Sequence, residues 1–452
     1  MQRLRLIIAV CACKAGIFVS KLMGKAGSSM PGNLALRICP NILSLLAGQV
    51  KKEIIAVCGT NGKTSTNNMI YTYLVSNGNK VVCNNVGANM IYGIACAFAK
   101  ESNIFGKLNA DFACLEIDEA SAVKVFQFFA PHKMIITNLF RDQLDRYGEV
   151  DMTVDYLKRA LEKASKTELI LNGDDPVLMQ FAEGSRKCYF LGVDEDVTGK
   201  TEKADDGKFC PKCNLPLNYE YNHYSQLGKF SCTNCDFKRK ELDFKIRNVD
   251  LSDGLKFSIY ENEEKTDFSV NLRGFYNVYN IAVSYIAAKL LMGSVPNYKE
   301  VLSSYKTQTG RMEEFDIGKK TILNLSKNPA GFNQGIDTVL KDTKTNKVLL
   351  IGINDNAGDG KDISWLWDVC FENLNRDDIK RFILCGMRVD DLALRLKYGG
   401  FDTDKIKKFY TLKEAAEEIL KGDEDICYAL VNYTVVFKLS EELKELSKEE
   451  SK

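Results

Sequence analysis

The sequence predicts an α/β chain: a phosphate-loop domain interrupted by a small four-cysteine ribbon, then a second, Rossmann-like α/β domain. Three observations lead there. The Gly-rich turn Gly59-Thr60-Asn61-Gly62-Lys63-Thr64 stands directly after the apolar run Ile54-Ile55-Ala56-Val57-Cys58. Short apolar runs alternate with helical stretches both before and after residue 310. Between them lie two Cys-x2-Cys pairs, Cys210/Cys213 and Cys232/Cys235, with 18 residues between the pairs.

In chain order, residues 1–45 read as an N-terminal helical segment. Residues 4–19 are apolar but broken by Arg5 and Lys14, so they are too short to span a bilayer and read as an amphipathic or buried helix. Residues 46–310 form the central domain. Runs at 54–58, 112–117, 134–137 and 169–171 are expected as strands of a parallel sheet, because strands buried on both faces are continuously apolar. From about 200 to 245 the composition turns to Lys, Asp, Asn and Cys, the mark of an insertion. Residues 255–259 and 268–272 alternate with period two and predict antiparallel strands; a helix follows over 281–291. A boundary falls between Gln308 and Glu313. Runs at 347–353, 381–385 and 428–431 then predict buried strands of the closing domain, 311–452, whose charged end (440–452) reads as a solvated last helix.

Composition limits the function. Among 452 residues the formal charge is only +1, so no global field would hold nucleic acid, and none is expected as a partner. Fifteen cysteines without a secretory signal suggest reduced thiols and a cytoplasmic protein, with peripheral contact at the inner membrane face as the lesser alternative.

A Gly-rich turn between a strand and a helix points backbone N–H groups and the positive helix end at an anion. Lys63 is then placed for the β/γ-phosphates of ATP and Thr64 for Mg²⁺. The strict Walker spacing would want glycine at position 57, where this chain has Val57, so a plain turn and helix start is the rival reading. The Cys-x2-Cys spacing is that of a zinc ribbon: two tight knuckles converge to give Zn²⁺ four thiolates, a closed and therefore structural site. His223 lies between the pairs and reads as a surface residue. Lys238, Arg239 and Lys240 raise a nucleic-acid reading of the ribbon, but no stacking aromatics are interleaved with them.

Glu116, Asp118 and Glu119 follow the run at 112–115, at the carboxyl edge where doubly wound sheets bind ligands. Farther on come Thr137-Asn138-Leu139, Asp142-Gln143-Leu144-Asp145, Asn172-Gly173-Asp174-Asp175-Pro176, Asn277 to Asn280, and Gly310-Arg311-Met312-Glu313. In this order the motifs resemble the central and C-terminal domains of the Mur ligase family over most of residues 50–320. Within it the resemblance is to the MurT-type branch. The inserted ribbon, Glu116-Ile117-Asp118-Glu119-Ala120-Ser121, the segment Lys327 to Gln334 and the segment Asn354 to Asp362 carry it, with Gly27 to Gly32 at the start.

That resemblance implies a Mur-ligase-like central ATPase domain and an ATP-dependent carbon–nitrogen ligase. The α-carboxylate of D-glutamate in the stem peptide of lipid II would be converted to the amide through an acyl phosphate. Glu116 would join Thr64 on Mg²⁺, Asn277 and Asn280 would lie toward the nucleotide, and Arg311 and Lys327 would face phosphate across the domain cleft. Helix capping is the competing reading for the two asparagines. The resemblance further implies a heterodimer with a separate GatD-like glutaminase that supplies ammonia. Asp355 is the first choice, and Asp362 the second, for the carboxylate that orients the glutaminase histidine, with plain turn formation as the alternative for each. Mur ligases usually carry His where this chain has Gln143, which leaves open whether one or two Mg²⁺ bind. Lys158 falls near the carbamoylated lysine of amino-acid-adding relatives, or is a helix-surface lysine. The rival function is an amino-acid-adding ligase of the Mur or folylpolyglutamate synthetase type.

Overall fold

In the computed structural model, residues 2–24, 27–84, 88–142, 150–197, 207–252, 254–305 and 309–450 are described. By Cα packing the chain divides into two units. The first comprises Met1–Phe140, Val150–Asn271 and Asn277–Tyr305; the second comprises Arg141–Glu149, Leu272–Tyr276 and Lys306–Lys452. Gln143 and Gln308 lie outside the described residues.

In the first unit, helices α1 (Gln2–Leu22), α2 (Ser29–Ile38) and α3 (Ile42–Ala47) precede strand β1 (Glu53–Cys58) and helix α4 (Lys63–Ser76). Then come β2 (Val81–Cys83), α5 (Ile91–Glu101), β3 (Phe112–Glu116), α6 (Glu119–Val125), β4 (Lys133–Ile136), α7 (Val150–Lys163), β5 (Glu168–Asn172) and β6 (Cys188–Val193). The ribbon hairpin β7 (Leu217–Tyr224) and β8 (Leu227–Cys232) follows, then β9 (Phe244–Asp250), β10 (Leu255–Glu261), β11 (Glu264–Val270), α8 (Tyr276–Met292) and α9 (Tyr298–Ser303).

Nine strands form one sheet in the order β11-β10-β9-β6-β5-β4-β1-β3-β2. Its members from β2 to β6 run parallel and β9 continues parallel to β6, whereas β10 pairs antiparallel with both β9 and β11, its hairpin with β11 being the one the period-two runs predict. β1 pairs with β3 on one side and β4 on the other, so successive crossovers leave from opposite sides of it. In doubly wound sheets such a reversal marks the carboxyl end of the strand, here β1, as the place where ligands bind. The inner strands are apolar along their whole length because helices cover both faces: residues 54–58, 112–115 and 134–136 are all buried. α1 joins this core through Leu6, Ala9, Val10 and Cys13.

The second unit holds β12 (Glu313–Asp316), β13 (Lys320–Leu325), α10 (Pro329–Lys341), β14 (Lys347–Gly352), β15 (Ile379–Cys385), α11 (Val389–Tyr398), β16 (Ile406–Phe409), α12 (Leu412–Leu420), β17 (Ile426–Val431) and α13 (Tyr433–Glu450). Its sheet has the order β12-β13-β17-β14-β15-β16, parallel except for the edge strand β12. The expectation of a solvated helix from residue 440 needs correcting. α13 starts earlier, and Val435, Val436, Leu439, Ser440 and Leu443 are buried against the sheet. Its charges sit on the other face, so composition alone hid the apolar stripe.

Candidate active site

β1 delivers the chain into the loop at residues 59–62, and α4 begins at Lys63. Gly59 and Gly62 have φ of +119° and +86°. A Cβ on Gly62 would lie 2.2 Å from Asn280 Oδ1, and one on Gly59 would lie 2.2 Å from Thr137 Oγ1. Both positions therefore require glycine, for backbone conformation and for space. The residues that end β4 brace the loop. The Thr60 N–H donates to the Asn138 carbonyl (2.8 Å), the Asn61 N–H to Asn138 Oδ1 (2.9 Å), and the Thr137 hydroxyl to the Asn61 carbonyl (2.7 Å). Phe140 N–H donates to Thr60 Oγ1 (3.0 Å).

Lys63 Nζ lies 3.1 Å from Glu119 Oε1 and also donates to the Gly59 carbonyl. The same Glu119 oxygen accepts the Gly59 N–H at 2.7 Å. Burial pushes the Glu119 carboxyl up, against the pull of the Lys63 ammonium. Sequence reasoning saw Glu119 in the acidic cluster but gave it no role. Its place in the first turn of α6, beside the loop, was not legible from spacing.

Glu116 is buried at the end of β3, where its Cα is in register with Val57 of β1. Asn84 clamps its backbone, accepting the Glu116 N–H (2.9 Å) and donating to the Glu116 carbonyl (2.7 Å). Oε1 accepts from Asn89 (3.0 Å), whereas Oε2 is buried without a hydrogen-bond partner. A carboxylate oxygen so placed calls for a donor or a cation. Asp118 serves a different end: it caps α6 through the Ser121 N–H (3.1 Å). Thr64 is half-buried in the first turn of α4. From α8, Asn277 and Asn280 are buried and bond to each other (3.1 Å), with Asn280 against Gly62. Both lie within the opening turns of α8, and neither is a free surface cap.

The four ribbon sulfurs lie within 4.8 Å of one another, with Cys210–Cys235 at 3.6 Å and Cys213–Cys232 at 3.4 Å. Zn–S bonds of about 2.3 Å make a tetrahedron with edges of about 3.8 Å, so the cluster fits Zn²⁺. Backbone N–H groups of Lys212 and Asn234 turn onto Cys210 and Cys232, as knuckle geometry requires.

One expectation about the ribbon is corrected here. His223 is buried, its ring tilted against that of Tyr221 with centroids 5.2 Å apart, because the C-terminal half of β7 packs against the unit; burial holds its imidazole pKa down. Arg239 is not a solvent-facing charge. It pairs with Asp174 (3.0 Å) and Asp194 (2.7 Å) in a buried site. Asp174 also accepts from Val193 N–H (2.7 Å) and Tyr279 (2.8 Å). Lys158 is exposed on α7 and donates to Gln180 (3.1 Å). His132 accepts the Ile54 N–H through Nδ1 (3.0 Å), which ties β4 to β1.

In the second unit Lys327 follows β13 and lies 2.6 Å from Asp142. Asn328 then caps α10 through the Gly331 N–H (2.8 Å), with Pro329 opening the helix. Arg311 is half-buried in the turn before β12. Asp355 sits at the carboxyl edge of β14. Arg388 holds it at 2.7 Å, and its Oδ1 is buried without a partner. The hydrogen bond from Arg388 keeps its carboxyl below the usual range. Asp362 instead accepts the Ser364 N–H (2.8 Å), a local turn bond that also lowers its carboxyl.

A glycine loop whose lysine is held by a buried glutamate, beside a second buried carboxylate with an open oxygen, has the make-up of a nucleotide-phosphate site, and the family that carries it here is that of the Mur-type ligases. Residues 57–288 match the Mur ligase middle domain, and residues 325–436 match the MurT ligase C-terminal family. The chain belongs to the Mur ligase family, in its MurT branch. It is 34% identical to the lipid II isoglutaminyl synthase (glutamine-hydrolyzing) subunit MurT of Staphylococcus aureus (strain COL), covering 96% of this chain and 97% of that one. It is 34% identical to the subunit of that name in Streptococcus pneumoniae (strain ATCC BAA-255 / R6), covering 97% of each. Among solved structures, a pseudomurein peptide ligase type C from Methanothermus fervidus shares the fold, with a TM-score of 0.71 and 22% identity over 89% of this chain and 80% of that one.

Proposed function

We propose that this chain is the ligase subunit of a lipid II isoglutaminyl synthase. It converts the α-carboxylate of D-glutamate in the lipid II stem peptide to the amide, giving D-isoglutamine, at the cost of ATP. The observation that carries this reading is 34% identity to a MurT subunit over 96% of the chain, joined to a loop in which Lys63 is held in place.

A carboxylate cannot expel oxide at neutral pH, so it must first be activated. One carboxylate oxygen attacks the γ-phosphorus, and the bond to the ADP oxygen breaks. Ammonia then adds to the acyl carbon, loses a proton, and inorganic phosphate leaves. Lys63 and the loop N–H groups balance charge on the transferring phosphoryl, and Glu119 positions Lys63 for that task. Asn280, packed against Gly62, lies toward the nucleotide with Asn277. Arg311 and Lys327 are assigned to phosphate. Family members use ATP and Mg²⁺, and the Thr64 hydroxyl and the open oxygen of Glu116 fit that cation. Bound there, it would neutralise charge on the phosphate oxygens. Zn²⁺ on Cys210, Cys213, Cys232 and Cys235 is structural.

Ammonia comes from a companion glutaminase of the GatD type in a heterodimer, and Asp355 orients its histidine. The open Oδ1 of Asp355 favours it over Asp362, whose carboxylate is used in a turn. Lipid II places the work at the inner face of the membrane, although no helix among the described residues is long and apolar enough to cross one. ATP turnover with purified lipid II and ammonium salt tests the proposal. Amidated lipid II is expected from the intact chain and none from Lys63→Ala. Turnover that requires a free amino acid in place of ammonia would favour the amino-acid-adding reading.

A further inference from the structure

α1 is apolar on two opposite faces. Leu6, Ala9, Val10 and Cys13 enter the core. Leu4, Ile8, Cys11, Ala15, Phe18 and Leu22 recur at i+3 and i+4 steps and are all exposed, Phe18 at 64% and Leu22 at 73%. From Leu4 to Leu22 the helix makes eighteen rises of 1.5 Å, so this stripe is about 27 Å long. Met30 on α2 and Phe105 after α5, both exposed, widen the apolar surface on elements that α1 packs against or bonds to. On the helix circumference Arg3 and Lys21 fall along one flank of the stripe, with Lys14 between them donating to the Lys100 carbonyl (2.6 Å), and Arg5 falls along the other. The first 52 residues contain eight Lys or Arg and no Asp or Glu.

We propose that this face docks, lying flat, on an anionic phospholipid surface. An apolar helix face flanked by long cationic side chains matches a headgroup boundary: the apolar residues enter it and the Lys and Arg stems reach back to the phosphates. Charge argues against a second copy as the occupant, since a two-fold contact would set like charges against each other. The inference deepens the reading above, because a lipid-linked substrate is presented at such a surface.

The test uses the full chain and no substrate, so its failure is distinct from failure of the ligase reading. Flotation is measured with phosphatidylglycerol-containing vesicles and with pure phosphatidylcholine vesicles, at low and high salt. Binding to the anionic vesicles alone, weakened by salt, is expected. The double variant Leu4→Glu, Phe18→Glu should weaken it by roughly tenfold or more, with an unchanged unfolding midpoint and unchanged ammonium-dependent amidation of detergent-solubilised lipid II. Phe18→Trp should show an emission blue shift on adding the same vesicles. No binding to either vesicle, no shift at position 18, or light scattering that reports a dimer abolished by the double variant would each overturn the proposal.

Discussion

Asp174→Asn should loosen the ribbon from the first unit at almost constant volume. Asp174 is fully buried and accepts three side-directed hydrogen bonds: from Val193 N–H at 2.7 Å, Tyr279 at 2.8 Å and Arg239 at 3.0 Å. Its carbonyl also takes the Gly228 N–H, which belongs to the ribbon hairpin (2.9 Å). An asparagine has one acceptor oxygen and one NH2, so whichever way it turns, a donor faces a donor. Breaking a buried pair by removing one charge costs about 3–5 kcal/mol. Here Arg239 keeps Asp194 at 2.7 Å, so about 3 kcal/mol is expected, at the lower end of that range. For a unit of this size that is a drop of roughly 5 °C in the thermal midpoint. Tyr279 lies in α8 between Asn277 and Asn280, and Asn280 touches the loop, so the KM for ATP should rise as well. Calorimetry of Asp174→Asn, Arg239→Met and the double variant gives the coupling directly, and about 1 kcal/mol or more is expected. A midpoint shift of less than about 2 °C, with additive single effects, would refute the claim that this pair seats the ribbon.

Asp355→Asn should abolish glutamine-dependent amidation in the presence of the glutaminase while leaving ammonium-dependent amidation intact; Asp362→Asn should spare both. Cys232→Ser with Cys235→Ser should remove one equivalent of zinc per chain by elemental analysis and raise proteolytic nicking within the ribbon. Glu424 gives a pH dependence: burial raises its carboxyl, but the bonds from Arg381 and Lys319 prevail and hold it at about 2. Because its folded pKa is depressed, its contribution is complete above the unfolded glutamate value of about 4.3 and is lost as pH falls toward 2. Urea melts should therefore lose up to about 3 kcal/mol across that window, a slope that Glu424→Gln should flatten.

Much of this was open to reading in the chain itself. Uninterrupted apolar runs such as 54–58 and 348–351 marked strands covered on both faces, and period-two alternation at 255–259 marked the antiparallel hairpin. The loop and the cysteine knuckles were legible because their chemistry is local in sequence. What stayed hidden depends on long-range pairing. Asp174 and Asp175 had the composition of a turn, yet Asp174 meets Arg239 from 65 residues away. Glu119 could be told from Glu116 and Asp118 only once the end of β3 and the start of α6 set one carboxylate on Lys63, one in a cap and one open. His223 and Ser440 were misjudged for a related reason: polar residue types in polar stretches, buried by packing the stretch does not announce.

The most direct test of carboxylate activation is an isotope transfer. Lipid II whose D-glutamate α-carboxylate carries oxygen-18 is incubated with the chain, ATP and ammonium salt, and the released phosphate is analysed by mass spectrometry. An acyl phosphate requires one labelled oxygen to leave with each phosphate as the amide forms. Amide accompanied by unlabelled phosphate would contradict it.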